Sequence, residues 1–198
     1  MNRELSLAIA HGFLPGQLTL PPAPRGLAAV VRISAHPADD GLAADLATRG
    51  LGLLSMPLLT PEEGHFPDAL HNVPLLTRRL TGLLDFLRND GDTEGLPLGL
   101  LADRHAAPAA IRVAALRDAQ VAALACHGGL IDLAGLENLR LLAAPLLMLV
   151  DEDDPASLAS YERAAPHLSV PRKLVRLEPG QNPDTLVARW FGEHLQAL

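Results

Sequence analysis

The spacing of apolar and polar positions changes several times along the chain, and each change marks an element. Leu5, Leu7 and Ile9 alternate with Ser6, Ala8 and Ala10, and Leu18 and Leu20 repeat the period after a glycine-containing stretch. Period two is the mark of a half-buried strand, so residues 5–20 predict a hairpin turning at Gly12 to Gly16. Pro21, Pro22 and Pro24 end it, because proline has no N–H to give a ladder. From Leu27 to Ile33 the alternation disappears into a nearly continuous apolar run, as expected of a strand buried on both faces.

Beyond residue 33 short apolar runs alternate with helical spacing. A helix is predicted over about 41–49, opened by Asp39 or Asp40 and stopped by Gly50, followed by a strand over 51–55. Residues 60–72 mix proline, glycine and charge and read as a loop. Leu75, Leu76, Leu80, Leu83, Leu84 and Leu87 fall at three- and four-residue spacings and predict an amphipathic helix. Strands follow over 96–101, 121–126, 146–150 and 173–177, with helices over 104–117, 155–165 and 184–195. Alternating strands and helices give an α/β class: a three-layer fold with a mainly parallel sheet and an N-terminal antiparallel hairpin. No repeat or linker divides the chain, so residues 1–198 are expected to form a single domain.

Charge and composition narrow the classes. The net charge of −7, with acids and bases interspersed, argues against a nucleic-acid surface. The single cysteine excludes an internal disulfide and suits a reducing compartment. Leu141 to Val150 is too short to span a bilayer, and residues 1–14 lack the pattern of a cleavable signal. A cytoplasmic protein without membrane contact is the expectation, and no cofactor motif is present.

Several short runs in order carry more than period. They are Arg25-Gly26-Leu27 entering the first buried strand, Leu58-Leu59-Thr60-Pro61-Glu62-Glu63, and Leu98-Gly99-Leu100. Gly128-Gly129, Asp132-Leu133-Ala134-Gly135, Ala144-Pro145 before Leu146, and Pro179-Gly180 after the last strand complete the set. Together they resemble the small dienelactone-hydrolase-like branch of the α/β-hydrolases, the branch also found with phosphoribosyltransferase domains. The resemblance implies a nucleophile on a tight strand-to-helix turn flanked by small residues, a histidine base, an orienting acid and backbone oxyanion donors.

Matched to that pattern, the turn falls at Ala102-Asp103-Arg104-His105-Ala106, and Arg104 stands where the resemblance places serine. A guanidinium stays protonated and is no nucleophile. Centring the turn on Asp103 would put Leu101 and His105 at the small positions; centring it on His105 needs a shift of register. The plain alternatives are that Asp103 complements the helix N-terminus and His105 is a solvated first-turn residue. The resemblance places the acid at Asp154, which also suits the N-cap of a helix beginning at Pro155. It places the histidine just beyond Pro179-Gly180, where this chain has Gln181-Asn182-Pro183 and none. Ala35-His36-Pro37 matches the oxyanion histidine, but proline replaces the glycine. The adjacent acids 151–154 cannot all turn toward one ion, so no metal site is expected. Cys126 reads as a small buried thiol. His127 and Tyr161 have no evident constellation, and Trp190 and Phe191 read as packing.

With nucleophile, base and oxyanion loop all altered, the expectation is a non-catalytic relative that binds a small ligand or a protein partner. Its candidate binding residues are His36, Asp103, Arg104, His105 and Asp154. A hydrolase of small esters or lactones is the second reading. A structural subunit in a homo- or hetero-oligomer is the third. Arg104 at a helix start could hold a small anionic ligand. Alternatively it could reach across the space of the missing histidine and form a salt bridge with Asp154.

Overall fold

The computed structural model describes residues 1–34 and 40–195. Its centre is an eight-stranded sheet in the order β1-β2-β4-β3-β5-β6-β7-β8. The strands are β1 (Asn2–Ile9), β2 (Gly12–Thr19), β3 (Gly26–Arg32), β4 (Leu51–Pro57), β5 (Leu98–Asp103), β6 (Val121–His127), β7 (Leu146–Asp151) and β8 (Arg172–Leu177). The β1–β2 and β2–β4 pairs are antiparallel; β3 to β8 are parallel throughout. The expected α/β class and edge hairpin are therefore both present.

Seven α-helices lie among the described residues. They are α1 (Asp40–Ala47), α2 (Pro67–Leu70), α3 (Val73–Asn89), α4 (Ala107–Leu116), α5 (Leu136–Leu141), α6 (Pro155–Ala164) and α7 (Asp184–His194). Two apolar cores result, one per face of the sheet. Leu42 and Leu46 of α1 join Val187, Ala188 and Phe191 of α7 in one. Leu76, Leu80 and Leu83 of α3, Ile111 of α4 and Leu139 of α5 join the other. The continuous apolar runs follow from this: β3, β5 and β7 bury residues toward both layers.

Four details depart from the sequence reading. The hairpin turns at Ala10 and His11, with Gly12 at φ +120°, so the expected turn at 12–16 is strand instead. Pro15 is tolerated there because β2 meets β4 only at Gln17–Thr19, leaving Pro15 without a second partner strand. Residues 60–72 form two helical turns, Glu63–His65 and Pro67–Leu70. Helix α3 starts earlier than its leucines suggest, because Asn72 accepts from the Leu75 N–H at 3.0 Å and caps it. The helix expected from residue 104 begins as a 3₁₀ turn over Arg104–Ala106 before α4. No helix among the described residues is long and apolar enough to cross a membrane.

Candidate functional site at the carboxyl edge of the sheet

The carboxyl ends of β5, β6 and β7 meet at Asp103, His127 and Asp151, the edge where open α/β sheets bind ligands. Arg104 leaves β5 with φ +44°, a left-handed conformation that a long side chain adopts only under constraint. The sharp turn is thus centred on Arg104, and neither Asp103 nor His105 has positive φ. Ala102 and Ala106 are fully buried on either side, which explains why small residues are required there.

The Arg104 guanidinium lies between two carboxylates. Its Nη2 donates to Asp151 Oδ2 at 3.2 Å, and its Nη1 lies 3.6 Å from Asp154 Oδ2. The expected ion pair with Asp154 is present, and Asp151 is the hydrogen-bonded partner. Asp154 is already engaged: Oδ1 accepts from the Ser157 N–H at 3.0 Å and Oδ2 from its hydroxyl at 2.6 Å. It caps α6 while facing Arg104, so the two roles read from the sequence coexist. Burial opposes ionisation of Asp154, but the two Ser157 bonds and the nearby Arg104 outweigh it and hold the carboxyl below its ordinary value. Arg104 is 55% exposed, so these contacts orient it more than they stabilise the fold.

His127 has no motif around it in the sequence, yet its Nε2 lies 3.0 Å from Asp151 Oδ1. No motif announces this pair; only the register that sets β6 beside β7 brings it together. Asp103 stands at the N-cap of the 3₁₀ turn that follows it, but its side chain makes no capping bond. Its carboxylate lies 3.8 Å from Arg32 Nε. His105, read as a solvated residue, packs its ring edge-on against His71 with centroids 4.8 Å apart. Burial, His71 and Arg104 together lower its pKa, favouring the uncharged ring. His36 and Pro37 lie outside the described residues.

A pocket of about 220 Å³ opens beside Arg104, walled by Leu70, Val73, Pro108, Leu130, Leu133 and Ala156 and reached by His71, His105 and Asp154. Its leucine wall is anchored from α6. Ser160 and Arg163 bind the two Asp132 oxygens at 2.6 and 2.7 Å, and Asp132 belongs to the 3₁₀ turn carrying Leu133. Asp151 also lines an acidic groove of about 490 Å³ with Glu152, Asp153 and Glu178.

Cys126 is fully buried at the end of β6, and desolvation pushes its thiol up to about 12. We expect no reaction with Ellman's reagent at pH 8 until denaturant is added; labelling of the folded protein within minutes would contradict this burial.

No family model matches the chain. Among curated proteins, a "Putative phosphoribosyl transferase" of Mycobacterium tuberculosis is 32% identical across 98% of this chain. The alignment takes in 47% of that relative, so the chain spans about half the length of the curated relatives it matches. A dienelactone hydrolase from Anabaena variabilis superposes with a TM-score of 0.86 at 26% identity, over 99% of both chains. Carboxyl esterase 2 from Tuber melanosporum superposes with a TM-score of 0.74 at 13% identity, over 99% of this chain and 87% of its own, a likeness of fold alone. Its sheet order, edge hairpin and whole-length likeness to a dienelactone hydrolase show that the chain has the α/β-hydrolase fold.

Proposed function

We propose that this chain is a non-catalytic α/β-hydrolase-fold protein that binds a small molecule in the pocket beside Arg104. One observation carries the reading: the left-handed residue of the strand-to-helix turn is an arginine, held by Asp151 and Asp154. A guanidinium cannot attack a carbonyl, and the segment from Pro179-Gly180 to α7 contains no histidine to serve as base. The pocket stays open, which favours a ligand over a purely structural role. The transferase named in the relatives belongs to proteins about twice this length.

Incubation with a fluorophosphonate probe and a panel of short-chain aryl esters tests the reading. No labelling and no turnover above buffer are expected. Stoichiometric labelling, or turnover abolished by a single substitution, would overturn it.

A hydrolase of small esters or lactones is the second reading, favoured by the His127–Asp151 pair one strand from the turn. It requires His127→Ala to remove whatever turnover is found. Association with another copy or an active relative is the third. It draws on Leu136 and Leu141, exposed on α5, and light scattering at rising concentration tests it.

A further inference from the structure

The pocket beside Arg104 has a charge balance that the sequence does not reveal. One guanidinium faces two carboxylates, and Glu152, Asp153 and Glu178 add negative charge across the neighbouring groove. A second anion arriving at Arg104 would displace or oppose Asp151 and Asp154 at contact distance. Among the described residues the turn therefore lacks the unbalanced positive charge that an anion site at a helix start needs.

What remains is hydrogen-bonding capacity without net attraction for an anion. Arg104 makes one hydrogen bond among the described residues, leaving further N–H groups for an oxygen acceptor. His71 and His105 reach the same space and bring ring nitrogens able to hydrogen-bond. Apart from Asp154 and Ser157, which bond each other, the rest of the described wall is apolar. Its volume, about 220 Å³, falls below the roughly 300 Å³ at which typical ligand pockets begin, so the occupant is small.

We infer that this pocket takes a compact uncharged molecule, with an apolar body of about one ring and a single amide, carbonyl or hydroxyl head, and discriminates against the corresponding carboxylate. The body lies against Leu130, Leu133 and Pro108, and the head meets Arg104 and the imidazole pair. This inference rests on the ligand-binding reading above and names the chemistry of its ligand.

Benzamide and benzoate share a shape and differ in charge, so they separate the possibilities. Each is titrated into the isotope-labelled protein at pH 7.5, following amide shifts at Leu130, Leu133 and His105. Benzamide is expected to shift these resonances and to bind at least tenfold more tightly than benzoate. Leu133→Glu, at a half-exposed position of the wall, should abolish the shifts while leaving the rest of the spectrum in place. Asp151→Asn should narrow the gap between the two probes at least threefold, by uncovering the charge on Arg104. Equal or tighter binding of benzoate overturns the inference. So does a failure of both probes to move those resonances, or an Asp151→Asn variant with an unchanged gap. Hydrolysis of an aryl ester by the same sample would strike the non-catalytic reading and leave the order of affinities standing.

Discussion

Gly129→Ala is expected to cost about 3–5 kcal/mol of stability, among the largest single-site effects in the chain. Two causes add. Gly129 has φ +98°, a conformation in which any Cβ is strained. A Cβ there would also run into the Arg104 carbonyl oxygen and stand 2.8 Å from the Ala107 Cβ, so the turn from β5 into α4 would have to move. Neither atom is the free end of a flexible side chain. The Gly129 N–H also donates to Ser157 Oγ at 2.7 Å, tying β6 to the start of α6. Gly95→Ala is the control: φ is +76°, but nothing lies within 4 Å of the added Cβ. It should show the conformational cost alone, about 1 kcal/mol. Urea denaturation of both variants checks the difference. A Gly129→Ala loss no larger than that of Gly95→Ala would mean that the close approach to Arg104 is not rigid. The same variant should weaken binding beside Arg104, because the backbone it displaces carries that side chain.

The sheet was legible because parallel strands buried on both faces leave continuous apolar runs, as at 27–33 and 146–150, which local composition reveals. The strand-to-helix turn was legible too, since Ala102 and Ala106 fix its frame. Other features depend on register or close approach and leave no periodic trace. His127 meets Asp151 only because β6 and β7 pair with Cys126 opposite Met148. His71 reaches His105 across some thirty residues of chain, from a segment read as a loop. Asp151 rather than Asp154 hydrogen-bonds Arg104, a choice among adjacent acids that only side-chain direction decides. Arg79 could have been noticed: three residues after Leu76 and beside Leu80, it lies on the apolar face of α3, where an unpaired charge would be costly.

That arginine yields the other large effect. Arg79 is 8% exposed; its Nη1 donates to the Leu58 carbonyl at 2.5 Å and to Glu63 Oε2 at 2.7 Å, and its Nη2 donates to Glu63 Oε1 at 2.5 Å. Glu63 in turn accepts from the Thr60 N–H at 2.9 Å while its own N–H donates to Thr60 Oγ1 at 3.3 Å, the reciprocal pattern of a capping box. The Thr60-Pro61-Glu62-Glu63 run thus clamps the segment after β4 onto α3. Arg79→Ala should cost about 2–4 kcal/mol, below the full penalty for a buried pair because Glu63 remains a third exposed. Arg88→Ala, which loses an exposed 3.4 Å contact to Asp85, should stay within about 0.5 kcal/mol. The bond from Arg79, with lesser help from Thr60 and against the cost of burial, holds the Glu63 carboxyl below its ordinary value. A lowered folded pKa means that the unfolded chain binds the proton first. The stabilisation is therefore complete above the ordinary glutamate value, about 4.3, and fades as pH falls through the depressed folded one. Glu63→Gln removes this dependence. Urea unfolding of wild type and Glu63→Gln between pH 7 and 2.5 should show a stability gap that is constant down to about pH 5 and closes below it. A gap that persists unchanged to pH 2.5 would show that the Glu63 charge does not hold the clamp.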